Sequence, residues 1–142
     1  TTRTALGNYQ LGAFYNKWME DWRDVQEADG NVPYTAPTRI GGGGPSWSGF
    51  CITLPWEFYR QYGDIRILSE SFPTIQRWLD FLETKSQHNM LVRWGGKWSF
   101  LGDWLWPDAW SWSQAAGVQA IAFVGDGFLD GVLFSIHDEY LS

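Results

Sequence analysis

A run of four glycines, Gly41–Gly44, followed at once by Pro45, constrains this chain more than any other feature. Glycine loses the most backbone freedom on ordering and proline lacks a backbone donor, so the run predicts a loop. Directly after it, an apolar or aromatic residue recurs at every fourth position: Phe50, Leu54, Phe58 and Tyr62. This spacing places side chains on one face of a helix. The stretch therefore predicts a loop that leads into a helix with one buried face.

The position of Pro55 inside this pattern allows two interpretations. The helix either begins at Pro55, where a missing N–H costs nothing, or starts near Ser48 and is kinked by the proline. We favour the longer, kinked helix. Gly63 supplies the left-handed residue that closes a helix, and Asp64 can cap the next one.

Three further helical segments are predicted. Apolar residues at three- and four-residue steps predict one long amphipathic helix over Ala5–Glu27, ended by the turn residues at 29–31. The proline-containing segment Val32–Ile40 predicts a structured loop. Residues 64–69 predict a short helical turn, and Pro73 is expected to open a separate helix that runs to about Thr84.

Two short aromatic-rich runs, 90–94 and 97–100, flank the pair Gly95–Gly96. Such an arrangement is typical of a tight β-hairpin, so a small hairpin is expected near 90–100. After it comes Asp103 beside Trp104, in a loop led by a glycine. The remainder, 108–142, contains four glycines that weaken any helical pattern and is left unassigned.

The composition excludes several classes of protein. With 142 residues, 44% of them hydrophobic, the chain is one globular domain or a piece of a larger one. Its formal charge of -6 argues against a nucleic-acid groove. No apolar run approaches the length of a membrane span. Because residues 1–5 lead straight into a helical pattern, we expect the chain to start inside a domain, and its compartment is not indicated.

The eleven tryptophans exceed what a core of this size needs. Indole rings offer flat apolar faces with one polar edge, which suit the C–H faces of sugars. Trp18, Trp22 and Trp78 lie on helical stripes and are assigned to the core. Roughly two to four of the eleven are expected to line a site, because most aromatic residues serve as core or interface. Trp47, directly after the glycine run, is the most exposable of them.

Few residues offer catalytic chemistry. The glycine run lacks the lysine of a phosphate-binding loop, and no serine lies in a nucleophile elbow. His88 and His137 stand apart from other ligands and Cys51 has no partner cysteine, so neither a metal site nor a disulfide is predicted. No cofactor is expected. Carboxylates remain, and Asp103 is the best placed of them, although it serves equally well as the cap of the following turn.

Glu57 and Asp108 are weaker candidates, and Glu57 could equally face solvent. Glycoside hydrolysis needs two carboxylates across one sugar, about 5 Å apart for retention or about 6.5–9.5 Å apart for inversion. The residues alone do not identify such a pair.

Four blocks together resemble the catalytic domain of bacterial α-L-rhamnosidases, which are inverting six-hairpin glycosidases. The blocks are WMEDWRDVQEADGNVPYTAP at 18–37, the glycine run continuing into PWEFYRQYGD at 41–64, FPTIQRWLDFL at 72–82, and FLGDWL at 100–105. The resemblance covers Thr1 to Pro107. It implies a mainly α fold that is part of an (α/α)6 barrel, with its site in the loops at one end, and residues 108–142 match it poorly.

The resemblance also implies roles for three residues. Trp47 and Trp104 match aromatic residues that line the rhamnose pocket of the family, and Asp103 matches an acid that orients the loop or binds a sugar hydroxyl. The family's acid and base glutamates fall outside this chain, so no catalytic residue is assigned within it. Isolated, the chain is expected to bind sugar weakly and to hydrolyse nothing.

The first predicted partner is a rhamnose-containing oligosaccharide or glycoside. The second is the remainder of the barrel or another protein surface, because an incomplete barrel leaves apolar helix faces unpaired. A non-catalytic carbohydrate-binding or protein-interaction module is the alternative from another class. A second alternative is an α/α-barrel hydrolase of another specificity, such as a glucoamylase-like enzyme or an unsaturated glucuronyl hydrolase.

Overall fold

The computed structural model describes residues 2–42, 44–88 and 90–91, and this part of the chain is mainly helical. The helices and strands in chain order are α1 (Thr2–Asn8), α2 (Gly12–Val25), α3 (Pro45–Ser48), α4 (Phe50–Tyr62), α5 (Arg66–Thr84), β1 (Ser86–Gln87) and β2 (Met90–Leu91). Helix α4 packs against α1, α2 and α5, and α2 also contacts α5. The prediction of a mainly α fold is confirmed.

Helix α4 forms as the every-fourth-residue pattern predicts. It contains Pro55 in its interior, which confirms the longer of the two interpretations, and it buries Leu54 and Phe58. Gly63 ends it in the left-handed conformation, with φ 70°, and its N–H donates to the Tyr59 carbonyl at 2.7 Å. A glycine at this position costs no steric strain, which is why the chain can turn sharply here.

The single helix expected over Ala5–Glu27 is wrong, because the chain breaks between α1 and α2. The Tyr62 hydroxyl, 51 residues away in sequence, accepts a hydrogen bond from the N–H of Leu11 at 3.0 Å. Leu11 is the N-cap of α2. Gly7 and Gly12 lower the helical propensity of the same stretch. The low helical propensity of this stretch favours a break between two helices. The Tyr62 hydroxyl favours it as well, because it binds an N–H at the start of the second helix.

The separate helix expected to open at Pro73 is also wrong, because α5 is continuous from Arg66 to Thr84 and holds Pro73 inside. Pro73 lies on the exposed side, whereas the opposite side carries a stripe of buried residues: Ile67, Leu68, Ile75, Trp78 and Leu82. Burial along this stripe outweighs the one backbone hydrogen bond that a proline removes. The N-cap of α5 is Ile65 and not the predicted Asp64, although the Asp64 carboxylate accepts the N–H of Arg66, the first residue of the helix, at 3.0 Å. The predicted end near Thr84 is confirmed.

The core lies between the helices and takes in most of the tryptophans assigned to it. Trp22 and Trp78 are almost fully buried, and Trp18 is partly buried and packs against the core. Cys51 is fully buried and packs as a small apolar residue, as expected. The stripe on α2 therefore faces the same interior as the stripes on α4 and α5.

A small hairpin follows α5. Its two strands pair antiparallel, with Ser86 opposite Leu91 and Gln87 opposite Met90. His88, in the connection, is exposed and has a left-handed φ of 53°. The turn predicted at Gly95–Gly96 lies outside the described residues, as do residues 108–142. Within the described ranges, no helix combines the length and apolarity needed to cross a bilayer.

Candidate functional site

Gly41, Gly42 and Gly44 lie in a loop, as predicted for the glycine run, and Gly42 is closely packed. This residue has φ 140°, and a Cβ built on it would lie 2.8 Å from the Cα of Pro33 and 2.9 Å from the Val32 carbonyl oxygen. Only a residue without a side chain allows two backbone segments to approach so closely. The segment that leads into α3 therefore packs closely against residues 32–33.

Helix α3 is fixed to the same loop by Ser48. Its buried hydroxyl donates to the Val32 carbonyl at 2.7 Å, and its N–H donates to the Gly44 carbonyl at 3.0 Å. Ser48 is fully buried, so each of these bonds forms away from water. The residue before it, Trp47, therefore lies on a short helix that is hydrogen-bonded to the loop.

Trp47 lies at the surface beside Tyr34. Its exposed fraction is 41%, and its ring centroid is 6.1 Å from that of Tyr34 with an angle of 68° between the planes. This edge-to-face geometry is one of the two favoured for aromatic pairs. The N–H of Tyr34 donates to the carbonyl of Ile40 at 3.0 Å, and the Ile40 side chain is 60% exposed. The part of the chain that the structure describes thus carries a partly exposed aromatic pair on a braced loop.

The loop is also tied to the core. The indole N–H of Trp18 donates to the Ala36 carbonyl at 3.3 Å, and the Trp18 ring packs against Phe50 with centroids 4.7 Å apart. Phe50 begins α4. The surface pair therefore rests on a continuous set of contacts that reaches α2 and α4.

The other predicted members of the site, Asp103 and Trp104, lie outside the described residues, as does the weaker candidate Asp108. Their convergence with Trp47 on one sugar pocket stays a prediction. Trp47 itself has the partial exposure that such a role requires. Tyr34 did not figure among the predicted site residues, although it is the one aromatic residue in 26–44.

Glu57 lies elsewhere, between two arginines. Its Oε1 is 2.7 Å from Nη2 of Arg3 and 3.8 Å from Nη1 of Arg60, and its side chain is 15% exposed. Leu6 and Gln61 complete the lining of an open cleft of about 310 Å³. Because its carboxylate is engaged by α1 and by its own helix, Glu57 acts as an ion-pair partner that joins α1 to α4. The predicted alternative, a carboxylate facing solvent, is met in part, because the Glu57 side chain lines an open cleft and is 15% exposed.

The remaining chemistry-bearing residues form no further site in this part of the chain. Burial raises the pKa of the Cys51 thiol, which keeps it protonated and unreactive. Among residues 2–42, 44–88 and 90–91, no three histidine, cysteine or acidic side chains converge in a way that could hold a metal ion.

Comparison with known proteins places this helical array in a family of sugar-cleaving enzymes. The model of the bacterial alpha-L-rhamnosidase 6 hairpin glycosidase domain matches residues 1–125. The chain belongs to this family, as its sequence blocks predict. It accordingly forms part of an α/α barrel of helical hairpins, and the described helices α1–α5 are a portion of that barrel.

Individual relatives agree. An α-L-rhamnosidase of Streptomyces avermitilis is 34% identical over 104 residues, which is 72% of this chain and 10% of the relative. An α-L-rhamnosidase of Formosa agariphila is 26% identical over 106 residues, or 73% of this chain and 11% of the relative. The chain therefore spans about a tenth of the length of these relatives.

A solved structure shows the same likeness in three dimensions. The crystal structure of the Streptomyces avermitilis α-L-rhamnosidase complexed with L-rhamnose superposes with a TM-score of 0.57 at 34% identity. The superposition covers 62% of this chain and 9% of that one. The fold of the described helices is thus that of a segment of a rhamnosidase.

Proposed function

We propose that this chain is a segment of a glycoside hydrolase that cleaves terminal α-L-rhamnosides with inversion. In this proposal the segment supplies part of the sugar-binding wall, through Trp47, Asp103 and Trp104, and the acid and base glutamates lie outside it. The observation that carries the proposal is the partly exposed indole of Trp47 on a braced loop, in a family whose relatives are named α-L-rhamnosidases.

The physical argument for Trp47 concerns its exposure. A tryptophan with 41% of its surface exposed keeps part of its flat apolar face available to a ligand. A sugar ring presents a C–H face of similar width to an indole, and stacking would cover both. The Streptomyces avermitilis relative was solved with L-rhamnose bound, which supports this sugar as the ligand.

The catalytic pair is assigned outside this chain because the resemblance to the family implies that its acid and base glutamates lie in other segments. Inversion requires an acid and a base about 6.5–9.5 Å apart, with room for a water molecule between the base and the sugar. Glu57, the one candidate in the described part of the chain, is occupied by two guanidinium groups. We therefore expect the chain by itself to bind sugar weakly and to show no hydrolysis.

The remainder of the barrel is the second proposed partner. Among the described residues, three large apolar or aromatic side chains are exposed besides Trp47: Tyr9, Phe14 and Ile40. In the complete barrel, neighbouring hairpins would cover such positions. This second partner is implied by the family's architecture. If the proposal is correct, the isolated chain should associate with itself or with another protein surface through its unpaired apolar faces.

The proposal is tested by titrating the ¹⁵N-labelled chain with L-rhamnose and with D-glucose, for Trp47→Ala and for Phe14→Ala as a matched aromatic control. We expect Trp47→Ala to raise the dissociation constant for L-rhamnose by about 5- to 150-fold, which corresponds to about 1–3 kcal/mol of stacking. Phe14→Ala should leave it unchanged, because Phe14 is a 57% exposed ring on α2 and is not part of the loop that carries Trp47.

Three results would contradict the proposal. Equal binding by wild type and Trp47→Ala would remove Trp47 from the sugar wall. Turnover of an aryl α-L-rhamnoside by the 142-residue chain alone would show that it contains its own catalytic pair. Binding of both sugars with equal affinity would favour the general carbohydrate-binding module over a rhamnosidase segment.

A further inference from the structure

We propose that Tyr34 is a positioning residue that fixes the orientation of the Trp47 indole, so that the sugar-stacking surface is formed before any ligand arrives. The effect of this positioning role on sugar binding rests on the proposed function. The contact between the two rings does not, and it can be measured without sugar.

The first step is the contact itself. Trp47 sits on a helix of only four residues, where the neighbouring backbone restricts its ring less than in the middle of a long helix. Tyr34 meets it from the preceding loop, with ring centroids 6.1 Å apart and planes at 68°. An edge-to-face contact of this kind depends on the angle of both rings, so it favours one indole orientation over the others.

The second step is that Tyr34 is itself fixed. Its N–H is bonded to the Ile40 carbonyl, which closes the loop back on itself. Two residues before it, the Val32 carbonyl accepts the Ser48 hydroxyl, and two residues after it, the Ala36 carbonyl accepts the Trp18 indole. Tyr34 therefore stands between two anchored carbonyls, one tied to α3 and one to α2.

The third step is the effect on affinity. A side chain that must be ordered on binding reduces affinity, whereas one held in place beforehand does not. With Tyr34 as a brace, Trp47 would lose little freedom when a sugar stacks on it. Removal of the tyrosine ring should therefore weaken binding of L-rhamnose by about 2- to 10-fold, through a residue that need not touch the sugar.

The experiment compares Tyr34→Leu, Tyr34→Phe and Tyr9→Leu in the ¹⁵N-labelled full chain. Tyr9 is a matched control because it is an exposed tyrosine, 68% accessible, at the junction of α1 and α2. The indole N–H signal of Trp47 is identified by its loss in Trp47→Phe. Nuclear Overhauser effects between the rings of residues 34 and 47 report the contact, and titration with L-rhamnose reports affinity.

Supporting results are specific. Tyr34→Leu should shift the Trp47 indole signal and weaken L-rhamnose binding, Tyr34→Phe should retain the ring contact and most of the affinity, and Tyr9→Leu should change neither. Circular dichroism tests whether Tyr34→Leu remains folded. If this variant is unfolded, the contact between the two rings in wild type and in Tyr34→Phe decides the question.

Opposing results separate the two proposals. An unchanged indole signal in Tyr34→Leu, or no Overhauser effect between the rings, overturns the positioning role. So does unaltered affinity in Tyr34→Leu when Trp47→Ala binds weakly, and in that case the proposed function stands. If Trp47→Ala binds as well as wild type, the proposed role of Trp47 fails and the positioning role fails with it.

Discussion

The side-chain amide of Gln26 donates hydrogen bonds to the carbonyls of both Thr74 and Gly30, each at 3.0 Å. Gln26 is 8% exposed and directly follows α2, whereas Thr74 lies within α5, 48 residues further along the chain. One buried amide thus joins the end of one helix, the turn that follows it and the body of another helix.

Replacement of this amide should destabilise the fold. In Gln26→Ala two hydrogen bonds in a buried position are lost, and we expect the free energy of unfolding to fall by about 1–3 kcal/mol. Gln76→Ala is the matched control, since Gln76 is an exposed glutamine on α5, and it should change stability by less than about 0.5 kcal/mol. Urea denaturation followed by circular dichroism measures both. Equal midpoints for the two variants would show that the Gln26 bonds contribute little.

Alanine at Gly42 should also be costly. The residue has φ 140° and a Cβ there would collide with backbone atoms of residues 32 and 33, so we expect a loss on the order of 1–3 kcal/mol. Gly12→Ala provides the contrast, because nothing lies within 4 Å of a Cβ at that helical position. It should be neutral or stabilise by up to about 1 kcal/mol. Thermal unfolding compares them, and a Gly42→Ala variant as stable as wild type would contradict the close packing of the glycine run.

Asp64 should make stability depend on pH in the acid range. Hydrogen bonds from the Arg66 side chain and then from its N–H lower the pKa of Asp64 to about 2. This pKa lies below the value of about 3.9 that an aspartate has in an unfolded chain. The stabilisation of the fold by Asp64 is therefore complete above about pH 3.9 and is lost as the pH falls towards about 2.

The measurement is the difference in urea midpoint between wild type and Asp64→Asn at about pH 6 and at about pH 3. We expect wild type to be the more stable at the higher pH and the difference to shrink at the lower one. Asp80→Asn, at an exposed aspartate on α5, serves as the control for the general effect of losing a carboxylate. A difference that is constant or grows on acidification would argue against the Asp64–Arg66 interaction.

Cys51 should be chemically silent in the folded chain. Its side chain is fully buried and burial raises the pKa of its thiol, so both access and the thiolate form are suppressed. Ellman's reagent should react with it only in denaturant, where one thiol per chain is counted. Ser69→Cys, on the exposed face of α5, should add a thiol that reacts at once. Rapid reaction of the wild-type chain would mean that α4 opens readily.

Local patterns predict much of the helical fold, and their failures share a cause. The stripe from Leu54 to Tyr62 and the left-handed Gly63 follow from spacing and from glycine's lack of a side chain, both of which are local. The break before α2 depends on the Tyr62 hydroxyl, which no local pattern reveals. Pro73 was expected to begin a helix because a proline inside one is locally unfavourable, yet burial on the opposite face keeps α5 continuous.

The candidate site divides in the same way. A tryptophan after a glycine run is a sequence pattern, and it correctly predicts an exposed Trp47. The partnership of Trp47 with Tyr34 could not be predicted, because the two rings lie thirteen positions apart in a segment without periodicity and meet through the tertiary packing of the loop.

The sequence by itself determined most of the helical segments, the buried stripes on α2, α4 and α5, and the family to which the chain belongs, because spacing and motif order are properties of the linear chain. Only the tertiary structure decided where the first helix breaks, that Glu57 is held by arginines from two helices, and which ring braces Trp47. These depend on contacts between residues far apart in sequence, and such contacts exist only once the helices have packed.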